Sequence, residues 1–303
     1  MDRYQRNYLR LMARDDYREK KRQVFQDWVG QLLKKALKGD YENIRLTQGD
    51  GGLDGIILSE SAVVAVFAPR RATQSELEKK IASDFAAAEQ TLKERKVVLK
   101  KLVFVHNDEG LTKGVGTLMM QLQQDKPGVK IEIWTFENLW TLMQSLSEDE
   151  IQDLLGLAPT SQMLEKLEMP SIREVIEHLV SVQAEPPAVG ELTIPDPGKL
   201  QYNELSETCR DLLRVGRSKH ALVARYLEGM TDLRTGEAIA EGFRRKYASC
   251  RAGGMLPDDT FETLWHFAGG DHFTTPFQHA AVTAVLSHFF HTCDIFENAR
   301  DSS

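Results

Sequence analysis

The sequence predicts an α/β N-terminal domain followed by an all-helical C-terminal domain. Three observations carry this. Short apolar runs of strand character alternate with helical patterns up to about residue 158. A connector, "QAEPPAVGELTIPDPG", then gathers four of the ten prolines. Beyond residue 200 only helical periodicity is found. The expected boundaries are 1–158 for an N-terminal helix plus α/β domain, 159–199 for a helix and proline-rich linker, and 200–303 for a helical domain.

The elements follow in order. Residues 3–38 read as helix, with a break expected near Asp15–Asp16. Phe25, Val29, Leu32, Leu33, Ala36 and Leu37 recur at helical spacing. Gly39 fits the position just past a helix C-terminus, where glycine accepts a left-handed backbone. "NIRLT", "LDGIIL" and "AVVAVFA" read as three short strands. The third is almost wholly apolar, which predicts a strand covered on both faces. Thr73 and Glu76 form a capping box. It opens a helix carrying Leu77, Ile81, Phe85, Ala88 and Leu92 on one side. "KLVFVHN" and "KIEIWTF" are a fourth and a fifth strand, with a helix near 113–125 between them. "FENLWTLMQSL", "EDEIQDLLG" and "SIREVIEHLVSV" are helices. Helices near 200–215, 217–229, 235–248, 258–267 and 275–296 complete the chain. The last is apolar through Val282, Val285, Leu286, Phe289, Cys293 and Phe296.

Composition narrows the class. The 303 residues, 42% hydrophobic, suffice for one large domain or two ordinary ones. No apolar run reaches the roughly 18 residues that a membrane helix needs. The polar N-terminus lacks the apolar segment of a secretory signal. The three cysteines make neither a disulfide framework nor a CxxC pair, so a reducing cytoplasm is the expected location. There is no Walker A, GxSxG or HExxH signature, which leaves most enzyme classes without support.

Net charge is -7 but unevenly spread. Residues 1–38 hold eleven Lys/Arg against five Asp/Glu, and residues 137–185 hold ten acids against Lys166 and Arg173. The basic segment, with Lys20, Lys21 and Arg22 at its centre, suits contact with phosphates. A solvated helix face accounts for the same charges.

Chemistry is suggested first by "GDGGLDGI" at 49–56. Mg²⁺ needs hard oxygen ligands that converge, and glycines let a backbone bend sharply around them. Asp50 and Asp54 stand in such a frame. A plain hairpin turn also favours these residue types. Arg70 and Arg71, just past the third strand, are further candidates for phosphate contact.

The helix followed by "GDGGLDG" resembles the PD-(D/E)XK nuclease superfamily, and within it the Mrr-like restriction enzymes. The resemblance implies that Asp54 is the metal aspartate, with Asp50 and Asp27 as helpers in a catalytic set. It also implies Glu or Gln at position 65 and Lys at position 67. The chain has Ala65-Val66-Phe67 instead. The preceding helix often carries a glutamate after its phenylalanine, and here Gln26 and Asp27 follow Phe25. Mg²⁺ is implied as cofactor only for an active site.

The wider pattern is similar to proteins of bacterial ABC-three-component conflict systems, which include the Lamassu group. It runs through "GDGGLDGIILSESAVVAVFAPRR", "KKIASDFAAA", "KLVFVHNDEGL", "KLQYNELSETCRDLL" and "AAVTAVLSHFFHTCDIFE". Phe67-Ala68-Pro69 matches an aromatic ending of the third strand in that family. The resemblance implies a cytoplasmic effector or accessory subunit of an anti-phage or anti-plasmid complex. Its partners would be an SMC-like ABC ATPase, a small middle subunit and DNA, with no membrane. The nuclease-like domain would be degenerate and bind DNA or a partner. The alternative is an active Mg²⁺-dependent DNA endonuclease using Asp54.

Other residues carry two readings each. His288, His291 and Cys293 could be zinc ligands or packing residues, and zinc would need four converging ligands. His106 could be a base near Asp54 or a strand-end residue that shapes a loop. Trp134, Trp140 and Trp265 lie in apolar patterns that suit core or interface positions.

Overall fold

The computed structural model describes residues 1–44, 53–69, 73–94, 96–108, 113–182, 199–232, 234–292 and 295–296. It divides into two compact units, Ala13–Gly156 and a unit of Met1–Met12 with Leu157–Ser303. The first is mixed α/β and holds a five-stranded sheet; the second is helical.

The α/β unit begins within helix α1 (Arg3–Glu19) and continues with α2 (Gln23–Leu37). The helix breaks at residues 20–22 rather than at Asp15–Asp16. Asp16 is held in the helix by Lys20 one turn on, at 2.5 Å. Arg22 takes a left-handed backbone, φ 53°, and its N–H leaves the helix for the Ala68 carbonyl at 2.6 Å.

Strands β1 (Tyr41–Asn43), β2 (Gly55–Ile57) and β3 (Ala62–Phe67) form an antiparallel meander. The first strand starts earlier than its "NIRLT" pattern suggests, because Tyr41 is buried and pairs with Ile57. Its phenol lies across Gly55, where any Cβ would overlap it. Helix α3 (Gln74–Glu94) leads to β4 (Lys101–His106), and α4 (Lys113–Asp125) to β5 (Lys130–Trp134). Both strands add in parallel, giving the order β1-β2-β3-β4-β5. The box opening α3 forms, with the Thr73 N–H and hydroxyl on the Glu76 carboxylate at 2.8 and 2.9 Å.

The sheet is covered on both faces, as the apolar third strand requires. Val63 and Ala65 of β3 and Leu102 and Phe104 of β4 pack with Leu77, Ile81, Phe85 and Ala88 of α3. Helix α2 packs on the sheet as well, meeting β1 and β3. It also meets α5 (Phe136–Met143) and α6 (Glu148–Leu155).

The helical unit holds α7 (Ser161–Glu165), α8 (Met169–Ser181), α9 (Lys199–Tyr202), α10 (Glu207–Gly216), α11 (His220–Glu228), α12 (Thr235–Ala252), α13 (Pro257–Trp265) and α14 (Pro276–Thr292). Helix α7 is too short to show periodicity; Thr160 caps it. The expected helix 200–215 is two helices. Glu204 takes φ 51° between them, and Ser206 caps the second. The connector 183–198 and Cys293 lie outside the described residues.

Helix α14 is the hub of this unit. It meets α7, α8, α10, α11 and α13, and every residue from Ala280 to Phe290 is buried. Gly216 of α10 allows the closest approach, since a Cβ there would stand 2.7 Å from the Thr283 carbonyl. Some polar groups of α14 are matched from outside the helix. Ser287 Oγ donates to the Leu213 carbonyl at 2.6 Å. The buried Lys199 donates to the Phe290 carbonyl at 3.1 Å, its ammonium 5.0 Å from the Phe290 ring centroid. Tyr8 Oη and His279 Nδ1 are 2.7 Å apart, and His279 Nε2 lies 2.7 Å from the Phe273 carbonyl.

Candidate functional site

The described part of the site lies where β3 outruns β2. Their pairing covers only Ala62–Val64 of β3, so the backbone groups of Val66 and Ala68 need other partners. Asp54, just before β2, supplies the first. Its N–H donates to the Val64 carbonyl at 2.9 Å, and its Oδ2 accepts the Val66 N–H at 2.6 Å. Gln26 of α2 supplies the second, donating its side-chain amide to the Val66 carbonyl at 3.1 Å. Arg22 supplies the third through its N–H to Ala68. The open edge of β3 is thus closed by an aspartate, a glutamine and a backbone amide.

Gln26 matters chemically. It stands where the resemblance often has a glutamate, and it acts here as a donor. A carboxylate cannot donate to a carbonyl. Asp27, the next residue, is exposed and accepts from Gln23 on its own helix at 2.9 Å.

Ala65 and Phe67 alternate with Val66 on β3 and lie on the sheet face covered by α3. Ala65 is 0% exposed. Phe67 is half-buried, packs on the same core, and has its ring centroid 6.4 Å from that of Phe104. The two positions that would carry a metal-site glutamine and lysine therefore belong to the hydrophobic core.

The basic segment between α1 and α2 comes to the same end of the sheet. Besides the Arg22 contact with Ala68, the Lys20 carbonyl accepts from Asn107, just past β4, at 2.9 Å. Lys21 donates to the Arg18 carbonyl, and burial pulls its ammonium below the usual lysine range. Arg22 is exposed. Lys20, Lys21, Arg22 and Asp54 thus gather around residues 66–68 and 107. Asp50, Arg70, Arg71 and glycines 49, 51 and 52 lie outside the described residues.

His106 ends β4 opposite Phe67 and is 1% exposed. Its Nδ1 accepts the Asp108 N–H at 3.2 Å, and its carbonyl accepts the Tyr17 hydroxyl at 2.7 Å. Burial lowers its pKa. The neutral ring then carries its proton on Nε2, which is buried and has no partner. These bonds shape the turn after β4. Tyr17 gave no signal in the sequence, and Gln26 stood out only as the place of an expected glutamate, because both act through backbone carbonyls that only the folded sheet brings near.

Around Asp54, no three His, Cys, Asp or Glu ligand atoms converge among the described residues. The same holds for His288 and His291 in the helical unit. The His220 and His288 rings stack with centroids 4.7 Å apart. Burial, then the nearby His220, pushes His288 down to about 4. Burial, then Arg217 and Lys199, does the same to His291.

Residues 171–297 match the family model for C-terminal domain 10 of the ABC-three component (ABC-3C) systems. The match covers α8 and the helices from α9 through α14. The matched region is similar to a domain of these systems, which supports a subunit of a multi-protein defence system. No curated protein and no solved structure matches the chain. No helix of the described residues is long and apolar enough to cross a membrane.

Proposed function

We propose that the chain is an effector or accessory subunit of an ABC-three-component defence complex. Its helical unit docks on the complex, and its α/β unit is a nuclease-type domain that binds DNA without cutting it. The match over residues 171–297 supports the first half. The partners we assign are an SMC-like ABC ATPase and a small middle subunit, and the setting is the cytoplasm of a cell under phage or plasmid attack.

The single observation that carries the second half is the fate of the β3 side chains. A PD-(D/E)XK-type reading is supported by the order α2-β1-β2-β3-α3-β4, with a meander followed by a parallel strand. It places Asp54 beside the end of β3, where such an enzyme would hold metal. The described residues do not fit Mg²⁺, which takes a near-octahedral set of oxygens. Asp54 Oδ2 is committed to the Val66 N–H, Asp27 points to solvent, and Ala65 and Phe67 lie in the core. What the end of the sheet retains is positive charge, from Lys20 to Arg22, suited to a phosphate backbone.

Fluorescence anisotropy with labelled duplex DNA at two salt concentrations tests this. Binding should weaken steeply with salt, and Arg22→Glu should weaken it about tenfold, the worth of roughly one phosphate contact. Equal binding by wild type and Arg22→Glu would remove the basic segment from the interface. Co-expression with the two partner subunits tests the docking half. Truncating the chain before α14 is unsuitable, because loss of that buried helix would unfold the unit. Surface variants of the helical unit that keep its fold are needed.

A further inference from the structure

One residue of the basic segment has a backbone that its side-chain type does not favour. Arg22 stands at φ 53°, ψ -129°. This is close to the first central position of a type II′ turn, where glycine is the usual residue. A non-glycine residue persists there only where the surrounding structure enforces it, and such strain gathers at functional sites. Lys38, Ser61, Lys96 and Glu204 also take positive φ. Ser61 and Lys96 sit in local turns, their N–H groups on carbonyls three residues earlier. The Arg22 N–H instead reaches the Ala68 carbonyl, past the end of β3.

Two long-range bonds enforce the conformation. The first is that bond to Ala68. The second comes from Asn107, 9% exposed, whose side-chain amide donates to the Lys20 carbonyl at 2.9 Å. Ala68 follows β3 and Asn107 follows β4, two strands paired in parallel. The sheet therefore grips the chain on both sides of Lys21.

What the grip presents is the Arg22 side chain. It is exposed, and among the described residues it has no ion pair or hydrogen bond. The carboxylates of this region are engaged elsewhere. Asp16 holds Lys20 at 2.5 Å, Asp27 accepts from Gln23, and Asp54 accepts from the Val66 N–H. Glu19 and Asp108 act on the Lys21 ammonium. Glycine at position 22 would remove the strain, and the chain carries arginine there. A guanidinium fork matches phosphate oxygens, and a donor already fixed in direction loses less freedom on binding.

We propose that the strained backbone of Arg22 aims its guanidinium at a DNA phosphate, with Asn107 as the positioning residue. The inference rests on the DNA-binding reading above and adds the residue that sets the geometry of the contact.

The test uses the full chain and labelled duplex DNA across a salt series. Arg22→Ala should weaken binding about tenfold and lower the slope of log K against log salt by about one, the mark of one lost phosphate contact. Asn107→Leu keeps the volume and loses the donor. It should do the same, although it removes no charge. In the Arg22→Ala chain, Asn107→Leu should have no further effect on binding, because residues that act through one contact are not additive. An Asn107→Leu chain with wild-type affinity and slope overturns the proposal. So does an equal loss from Asn107→Leu with and without Arg22, which is the result of general loosening.

Melting temperatures supply a second arm. Arg22→Gly should melt higher than Arg22→Ser, since both lack the long side chain and only glycine relieves the backbone. With an ordinary backbone just before a helix, serine would be at least as stable as glycine. An Arg22→Gly chain that melts no higher than Arg22→Ser overturns the aiming device and leaves the DNA-binding reading intact. A wild-type chain that binds no DNA overturns that reading and the phosphate contact with it, and the melting arm still decides the strain.

Discussion

Strand β3 and helix α14 are both deeply enclosed in their units, and they are enclosed differently. From Ala62 to Val66, β3 is buried and wholly apolar. Its backbone needs are met at one end by Asp54, Gln26 and Arg22. Helix α14 is buried along most of its length and yet carries Thr283, Ser287 and His288 into the interior. The strand lacks the side chains that the proposed nuclease-type reading would require for cleavage. The helix keeps polar side chains and answers some of them with partners such as the Leu213 carbonyl. In the first region the apolar side chains suit the proposed domain that binds without cutting. In the second, polar retention points to a surface that must pack in one way only.

The largest expected effect would break the comparison at β3. Ala65→Glu puts a carboxylate into a packed core with no cation beside it. It should destabilise the chain by about 3–5 kcal/mol, as for an uncompensated buried charge, measured by urea denaturation. A variant as stable as wild type would mean that the core has room for a metal ligand at this position.

Next comes the acid sensitivity of α14. The folded-state pKa values of His288 and His291 lie below the ordinary histidine value. The unfolded chain therefore binds more protons between about pH 6.5 and pH 4. Their contribution is fully present above pH ~6.5 and is lost as pH falls toward about 4. Melting temperature should fall across that window, and His288→Gln should flatten part of the fall. Identical profiles for the two chains would show that His288 is not held neutral by burial.

A smaller effect is expected at the β3 edge. Gln26→Glu replaces a donor with an acceptor opposite the Val66 carbonyl. It should cost about 1 kcal/mol at neutral pH, and less in acid, where a protonated carboxyl can donate again. Asp27→Ala, at an exposed position, should stay within about 0.5 kcal/mol of wild type. A larger loss there would mean that Asp27 has a role that its bond to Gln23 does not reveal.

The same contrast explains what the sequence could and could not disclose. Strand β3 was legible because an unbroken apolar run has one good home, the middle of a covered sheet. The α3 box was legible because Thr73 and Glu76 act within one helical turn. The break at 20–22 was not, because it depends on Asn107 and Ala68, far along the chain. Nor was the start of β1 at Tyr41, which depends on the space left by Gly55. At the candidate site, the absence of the glutamine and lysine that the resemblance implies at positions 65 and 67 could be read directly. The structural duty of Asp54 and Gln26 could not, since both bond to backbone groups that carry no sequence signature.

The most direct measurement is cleavage of plasmid and linear DNA with Mg²⁺ or Mn²⁺, comparing wild type with Asp54→Asn. Asparagine keeps an oxygen for the Val66 N–H and removes the charge that a metal needs. Both proteins would be assayed alone and with the purified ABC ATPase proposed as a partner. We predict no cleavage by either protein in either assembly. Cleavage by wild type that disappears with Asp54→Asn would contradict the account, and would mean that the end of β3 rebuilt its chemistry without residues 65 and 67.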